Sequence, residues 1–167
     1  AATDSGTSNS DDLTNNATPQ FTLSCVTGSS VQLLDGGTPT GSSGTCVGST
    51  VTLTAATLGT GAHTITARQT DPAGNESTTS AGLSITIDTT ADAAPGTPDM
   101  TSATDSGSSS SDDNTSNTTP QFVVSCVTGS TVQLLDGGTP TGSAGTCVAS
   151  TVTLTTAALS SGGHTIT

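Results

Sequence analysis

The side chains of this chain that could do chemistry are four cysteines, two histidines and 13 acidic residues, set against a single basic residue. The interval between Cys25 and Cys46 is repeated between Cys126 and Cys147. No C-x-x-C spacing and no histidine cluster accompanies these residues, which disfavours a zinc site. The cysteines therefore indicate either disulfide bonds or buried free thiols.

The carboxylates are concentrated in polar loops. Asp35 is the only acid between Leu13 and Thr70, whereas residues 88–113 hold six Asp residues in Gly-, Ser- and Asn-containing sequence. Ca²⁺ accepts about six to eight oxygen ligands in flexible geometry, so this placement favours calcium. The alternative is an acidic linker that keeps the chain soluble. The candidate metal ligands are Asp4, Asp11, Asp12, Asp71, Asp88, Asp105, Asp112 and Asp113.

Catalysis finds little support in the sequence. His63 and His164 stand in near-identical contexts without a consistent nucleophile nearby, so we interpret them as packed or capping histidines. Asp11 and Asp12 are adjacent in a polar loop and lack the rigid separation that glycoside hydrolysis requires of its two carboxylates. We predict that the protein is not an enzyme.

The charge balance excludes two classes of partner. The formal net charge is -12, and one basic residue cannot neutralise a phosphate backbone or an anionic bilayer. No run approaches the roughly 18 apolar residues of a membrane helix. We therefore expect no nucleic-acid partner and no membrane insertion.

An internal repeat organises the chain. Shifting the sequence by 101 residues aligns residues 1–66 with residues 102–167 without a gap, and 50 of the 66 positions are identical. We predict a first domain over residues 1–101, with a junction at about 88–105, and a second over residues 102–167. The second repeat is incomplete, because it lacks counterparts of the C-terminal strands of the first.

Short runs of alternating apolar and polar residues predict β-strands throughout the repeat. Phe21 and Leu23 fall on one face of such a run, as do Val31 and Leu33, and Asp35-Gly36-Gly37 then supplies a tight hairpin turn. A single sheet could not bury these residues. The fold class is therefore all-β, with tandem immunoglobulin-like antiparallel β-sandwiches, one in each 101-residue repeat.

The distances expected between the cysteines predict how they pair. Equivalent points in adjacent domains should lie tens of Å apart, whereas the Cα atoms of bonded cysteines are only about 4.4 to 6.8 Å apart. Cys25 should therefore bond Cys46, and Cys126 should bond Cys147. Such bonds imply an oxidising, extracytoplasmic setting.

Four strings carry a family resemblance: Leu34-Asp-Gly-Gly-Thr38, Gly61-Ala-His-Thr-Ile-Thr66, Thr70-Asp-Pro-Ala-Gly-Asn-Glu-Ser77 and Ile85-Thr-Ile-Asp-Thr-Thr90. Together they resemble the bacterial Ig-like tandem-repeat domains of large secreted surface adhesins. The resemblance implies an extracellular module at the bacterial cell surface whose extension depends on Ca²⁺. It also implies junction ligands drawn from Asp71, Asp88 and Asp105, with Asp4 serving a preceding junction.

We therefore predict a structural spacer in a long extracellular adhesin or surface fibre, whose partners are the neighbouring repeats of the same chain. One alternative is a subunit of a self-assembling surface filament, completed by strand exchange with other copies. Another is an ice- or carbohydrate-binding face made by the threonine rows Thr50, Thr52 and Thr54 or Thr64 and Thr66.

Overall fold

The computed structural model describes residues 3–6 and 8–167, and all regular secondary structure among them is β. The chain divides into two compact units, unit 1 (Ala1–Thr90) and unit 2 (Ala91–Thr167). The division falls inside the junction predicted at residues 88–105. In the described residues, no helix has the length and apolar character needed to cross a membrane.

The described residues of unit 1 form seven strands in two sheets. The strands are β1 (Leu13–Thr14), β2 (Gln20–Ser24), β3 (Ser30–Asp35), β4 (Thr38–Thr45), β5 (Thr50–Thr54), β6 (Gly61–Thr70) and β7 (Leu83–Ile87). The larger sheet has the order β1-β7-β6-β3-β4, and β2 pairs with β5 in the smaller one. Both sheets contribute to one core, which confirms the predicted all-β sandwich.

The alternation of apolar and polar residues along the strands determines which side chains form that core. Phe21 and Leu53 lie in register on the smaller sheet, and both side chains are buried. Leu33, Ile65 and Ile87 fill the core from the larger sheet. The side chains between these positions are mostly exposed small polar residues, as expected for a sheet with one face in solvent.

The threonines of β5 occupy its outer face. Thr50, Thr52 and Thr54 are all exposed, and the Thr52 hydroxyl lies 3.0 Å from the Thr22 hydroxyl on β2. On β6, Thr64 is exposed and Thr66 is half-buried. The two threonine rows therefore lie on strands β5 and β6. The binding of ice or carbohydrate to them stays a prediction.

The Asp-Gly-Gly sequence forms the predicted hairpin between β3 and β4. Asp35 pairs with Thr38, and the two intervening glycines have positive φ angles, 54° at Gly36 and 85° at Gly37. Side chains with a Cβ atom disfavour this left-handed region, so the glycines fix the turn and with it the register of the hairpin.

One pairing departs from the predicted antiparallel arrangement. The short strand β1 runs parallel to β7, with Leu13 opposite Thr86. The amides of Thr86 and Asp88 donate to the carbonyls of Asp12 and Thr14, each over 2.9 Å. A two-residue strand carries no alternation that sequence analysis can detect, so only the folded sheet reveals this edge.

Unit 2 repeats part of this arrangement with shorter strands. They are β8 (Asp99–Met100), β9 (Gln121–Ser125), β10 (Thr131–Val132), β11 (Leu135–Asp136), β12 (Thr139–Pro140), β13 (Gly145–Thr146) and β14 (Thr151–Thr155). Their pairings are β14-β9-β8, β10-β13 and β11-β12. Phe122, Val124 and Leu134 lie in the buried core, and Met100 from β8 packs against it.

Candidate functional site

A disulfide bond joins the two sheets of unit 1. Cys25 follows β2 in the smaller sheet, Cys46 follows β4 in the larger sheet, and their Cα atoms are 6.0 Å apart. The bond between Cys126 and Cys147 has the same Cα separation in unit 2. Both predicted disulfides are therefore formed, and the structure contains no free cysteine among its described residues.

The backbone around the disulfide is also hydrogen bonded. The Cys25 amide donates to the Ser49 carbonyl over 3.0 Å, and the Cys46 amide donates to the Ser29 carbonyl over 2.8 Å. The Cys46 side chain is only 1% exposed. Such burial keeps the bond away from solvent, so the disulfide is a structural element of the core and its margin.

A polar loop before β1 holds the carboxylate of Asp4. The Asp12 amide donates to Asp4 Oδ2 over 3.2 Å, and Asp12 adopts a positive φ of 59°. The hydroxyl of Thr14 donates to the Thr3 carbonyl over 2.7 Å. These contacts fold the two ends of the loop together around the Asp4 carboxylate.

Unit 2 builds the same loop from the equivalent residues. The Asp113 amide donates to Asp105 Oδ2 over 3.3 Å, Asp113 has a φ of 56°, and Thr115 donates to the Thr104 carbonyl over 2.5 Å. Asp105 is only 5% exposed. The repeated geometry shows that this loop is a fixed feature of the repeat.

One oxygen of each loop carboxylate is buried without a partner. Asp4 Oδ1 and Asp105 Oδ1 are both enclosed and accept no hydrogen bond from the described residues. A buried charged oxygen that lacks a partner costs free energy of folding. A cavity of about 10 Å³, enough for about one water-sized occupant, also lies beside Asp4 and Asp12. The unmet carboxylate oxygens are hard ligands of the type that Ca²⁺ prefers, and the lining of the cavity beside Asp4 combines Thr3 and Thr14 with the apolar side chains of Pro19, Phe21 and Ile85.

The other predicted ligands make local contacts of their own. Asp11 and Asp112 each accept an amide hydrogen bond from the residue two positions ahead, and so does Asp88. In the part of the chain that the structure describes, no three His, Cys, Asp or Glu side chains come together as a metal site. The eight carboxylates are therefore not gathered into one cluster.

Asp71 is fully engaged in a turn. Its Oδ1 accepts from the amides of Ala73 and Asn75, and its Oδ2 accepts from the Asn75 side chain over 2.9 Å. The hydrogen bond from the Asn75 side chain is the main cause that lowers the pKa of Asp71 below its usual value. This carboxylate therefore stabilises its own turn.

A histidine-carboxylate pair, which the sequence analysis did not identify, recurs in both units. His63 on β6 places Nδ1 2.8 Å from Asp35 Oδ2 and Nε2 2.9 Å from the Gly59 carbonyl. His164 makes the corresponding contacts with Asp136 and with the Ser160 carbonyl. The recurrence of both residues at one interval in each repeat was the only sequence signal of this contact.

The protonated imidazole fits this arrangement of hydrogen-bond acceptors. Both ring nitrogens face oxygen acceptors, and only the imidazolium form can donate to two acceptors at once. The carbonyl of Gly59, followed by the carboxylate of Asp35, raises the pKa of His63 above 6.5. The carbonyl of Ser160 and then Asp136 raise the pKa of His164 in the same way. Through these contacts the histidine joins β3 or its counterpart to the loop that precedes β6 or its counterpart.

The sequence model of one protein family, described as a bacterial Ig-like domain, matches residues 1–89 and again residues 92–167. The chain belongs to the bacterial Ig-like domain family. The two matches correspond closely to the two units of the structure, so each unit is one bacterial Ig-like domain. A comparison with curated proteins finds no match.

Membership of this family agrees with the structure of the candidate sites. Bacterial Ig-like domains are structural modules that are typically extracellular or at the cell surface. The disulfide in each domain fits an oxidising environment. In both domains, the disulfide connects the two sheets, and the histidine pair connects a strand to a loop.

Proposed function

We propose that the two bacterial Ig-like domains form a spacer within a long extracellular adhesin or fibre at the bacterial surface. The observation that carries the proposal is that each of the two domains has its own core and its own disulfide between the sheets. Domains that fold independently can be repeated to extend a chain without altering each copy.

The exposed chemistry of the domains supports a passive spacer. Outward positions of the paired strands β2 and β5 carry small hydroxyl side chains, such as Thr22 and Thr52, which hydrogen bond to each other. The chain carries 13 acids against one basic residue, so neighbouring molecules repel one another. Such a surface suits a segment that must separate two points without adhering to what lies between them.

We further propose that Ca²⁺ binds in the loops that carry Asp4 and Asp105. The support is the buried, unpartnered oxygen of each carboxylate, which a cation would neutralise. Bound Ca²⁺ would supply positive charge at these oxygens. The loop residues themselves hold the carboxylate in place through the amides of Asp12 and Asp113.

A display experiment tests the spacer role. One, two or three copies of the chain are inserted between a bacterial outer-membrane anchor and a reporter epitope, and the height of the epitope above the membrane is measured by super-resolution microscopy. We expect a constant height increment for each copy. Flexible Gly/Ser inserts of the same length are the control, because their span grows only as about the square root of length. Increments no larger than those of the control would overturn the proposal.

A further inference from the structure

The turn of each hairpin contains an Asp-Gly bond. Asp35 and Gly36 form it between β3 and β4, and Asp136 and Gly137 form it between β11 and β12. In an Asp-Gly sequence the amide nitrogen of the glycine can attack the aspartate side chain with little hindrance, because glycine has no Cβ atom. Each turn therefore carries a backbone position that is open to spontaneous chemical modification.

The modification is a cyclisation followed by hydrolysis. The Gly36 nitrogen bonds to Cγ of Asp35, and the amide proton leaves as water together with the hydroxyl of the protonated carboxyl group. The product is a succinimide ring. When water opens this ring at the main-chain carbonyl, the residue becomes isoaspartate, and the backbone then runs through Cβ and Cγ. The reaction needs a protonated carboxyl group and a glycine amide that is free to approach it.

Isoaspartate at position 35 would damage the larger sheet of unit 1. Asp35 pairs with Thr38 on β4 and with Ile65 on β6. Isoaspartate inserts one additional carbon atom into the main chain, so it would disturb the register of β3 against both neighbours. The fold therefore depends on this bond remaining unmodified.

The Asp35 carboxylate is held by the histidine pair. Asp35 lies opposite Ile65, and His63 lies two residues before Ile65, so the three side chains share one face of the sheet. His63 Nδ1 is 2.8 Å from Asp35 Oδ2, and the Gly59 carbonyl fixes the other side of the ring. In its imidazolium form, the ring donates to the ionised carboxylate. The ionised form is the one that does not cyclise.

The glycine amide is held as well. The Gly36 amide donates to the Thr64 carbonyl over 3.1 Å, and the Gly137 amide donates to the Thr165 carbonyl over 3.0 Å. To attack the carboxyl group, each amide would first have to leave this hydrogen bond. In unit 1, the two reacting groups are thus held by His63 and Thr64, which are consecutive residues of one strand.

We propose that His63 and His164 are positioning residues that protect the Asp-Gly bonds of the two hairpins from cyclisation to succinimide. Each ring holds the aspartate in the ionised, unreactive form, while the carbonyl of the next residue holds the glycine amide. Without the ring, the carboxyl group is free to accept a proton and to turn toward the amide, and isoaspartate forms at position 35 or 136. The inference goes beyond the spacer role and does not depend on it.

An ageing experiment on the full chain tests the inference. The wild-type protein and the variant His63→Phe, which keeps a ring but removes the donor, are incubated for several weeks at neutral pH and body temperature. Peptide mapping with electron-transfer fragmentation then locates isoaspartate. We expect position 35 to isomerise faster in the variant by about tenfold or more, because a hydrogen bond to a charged group is lost. Position 136, with His164 intact, is the internal reference, and His164→Phe should reverse the pattern.

A conservative variant separates the hydrogen bond from the shape of the ring. His63→Asn places a side-chain amide near the position of Nδ1, so it can still donate to Asp35 and should retain most of the protection. A free peptide of residues 31–40 gives the rate of the unprotected sequence, which should exceed the rate at position 35 of the wild-type protein.

Gly48→Ala controls for a general loss of stability. This substitution lies in the loop between β4 and β5, at a positive φ of +61° and away from the pair. It should destabilise unit 1 without raising isoaspartate at position 35. An unchanged rate in His63→Phe, an equal rise in Gly48→Ala, or a free peptide that reacts no faster than the wild-type protein would each overturn the inference.

Discussion

The Nδ1 atom of His63 lies 2.8 Å from Oδ2 of Asp35, across 28 residues of sequence. The same pair recurs in the second domain, where His164 Nδ1 lies 2.8 Å from Asp136 Oδ2. In each case Nε2 faces a backbone carbonyl, so the charged form of the ring is the one that the fold stabilises.

Both domains should consequently be more stable in mild acid. The pKa of each histidine is raised above the ordinary 6.5 in the folded protein. The stabilisation is fully present below pH 6.5 and is lost as the pH rises through the raised pKa. We expect the melting temperature to fall by a few degrees between pH 6 and pH 8. The double variant His63→Gln and His164→Gln should melt at a temperature that changes little over this interval. An unchanged pH dependence in that variant would contradict the assignment.

The two disulfides should each contribute substantially to stability. In the chain-entropy model, closing a loop of about 20 residues contributes about 3 kcal/mol. The double variant Cys25→Ser and Cys46→Ser should lower the free energy of unfolding of unit 1 by this order, as measured by urea denaturation. Unit 2, with Cys126 and Cys147 intact, is the internal control. A thiol assay of the denatured, unreduced protein should find no free thiol, and the detection of four would contradict the pairing.

Calcium should stabilise the domains through the loop carboxylates. At a concentration of about 100 times Kd, Ca²⁺ would add about 2.7 kcal/mol to the stability of a domain. We expect Asp105→Asn to abolish this gain in unit 2, as followed by thermal melting with Ca²⁺ and with EDTA. Asp71→Asn is the matched control, because all its hydrogen-bonding oxygens already have partners within the turn. Identical melting with Ca²⁺ and EDTA, or an equal loss in both variants, would refute the calcium proposal.

Gly41 should be irreplaceable by any residue with a Cβ atom. Its φ is +68°, and a Cβ atom at this position would lie 2.1 Å from the Thr54 carbonyl oxygen on β5. Because a backbone carbonyl cannot move without displacing its strand, Gly41→Ala should cost more than about 3 kcal/mol of stability in urea denaturation.

Gly48→Ala is the matched control for that substitution. Gly48 also has a positive φ, +61°, but a Cβ atom there would meet open space. Its counterpart in the second repeat is Ala149, whose φ is 50°. The control should therefore cost only about 1 kcal/mol. Equal effects of the two substitutions would show that the backbone angle, rather than the contact with Thr54, is what matters.

The features that the sequence by itself determined are those encoded over a few residues or by repetition. The alternation around Phe21 and Leu23 specified half-buried strands, and Asp35-Gly36-Gly37 specified a hairpin because only glycine adopts its φ angles easily. The 101-residue period established that the features of residues 1–66 recur in residues 102–167. The cysteine pairing was also predicted, because cysteines of adjacent domains are expected to lie farther apart than a disulfide can span.

Only the tertiary structure decided which distant segments meet. The parallel edge between β1 and β7 joins residues more than 70 positions apart, and the pair His63 and Asp35 depends on the register between β3 and β6. Register across a sheet is fixed by which side chains share the core, a property of all the strands together. The environment of Asp105 was likewise decided by the tertiary structure. Its place among eight candidate acids was visible in the sequence, but the burial of one unpartnered oxygen arises only when the loop closes over it.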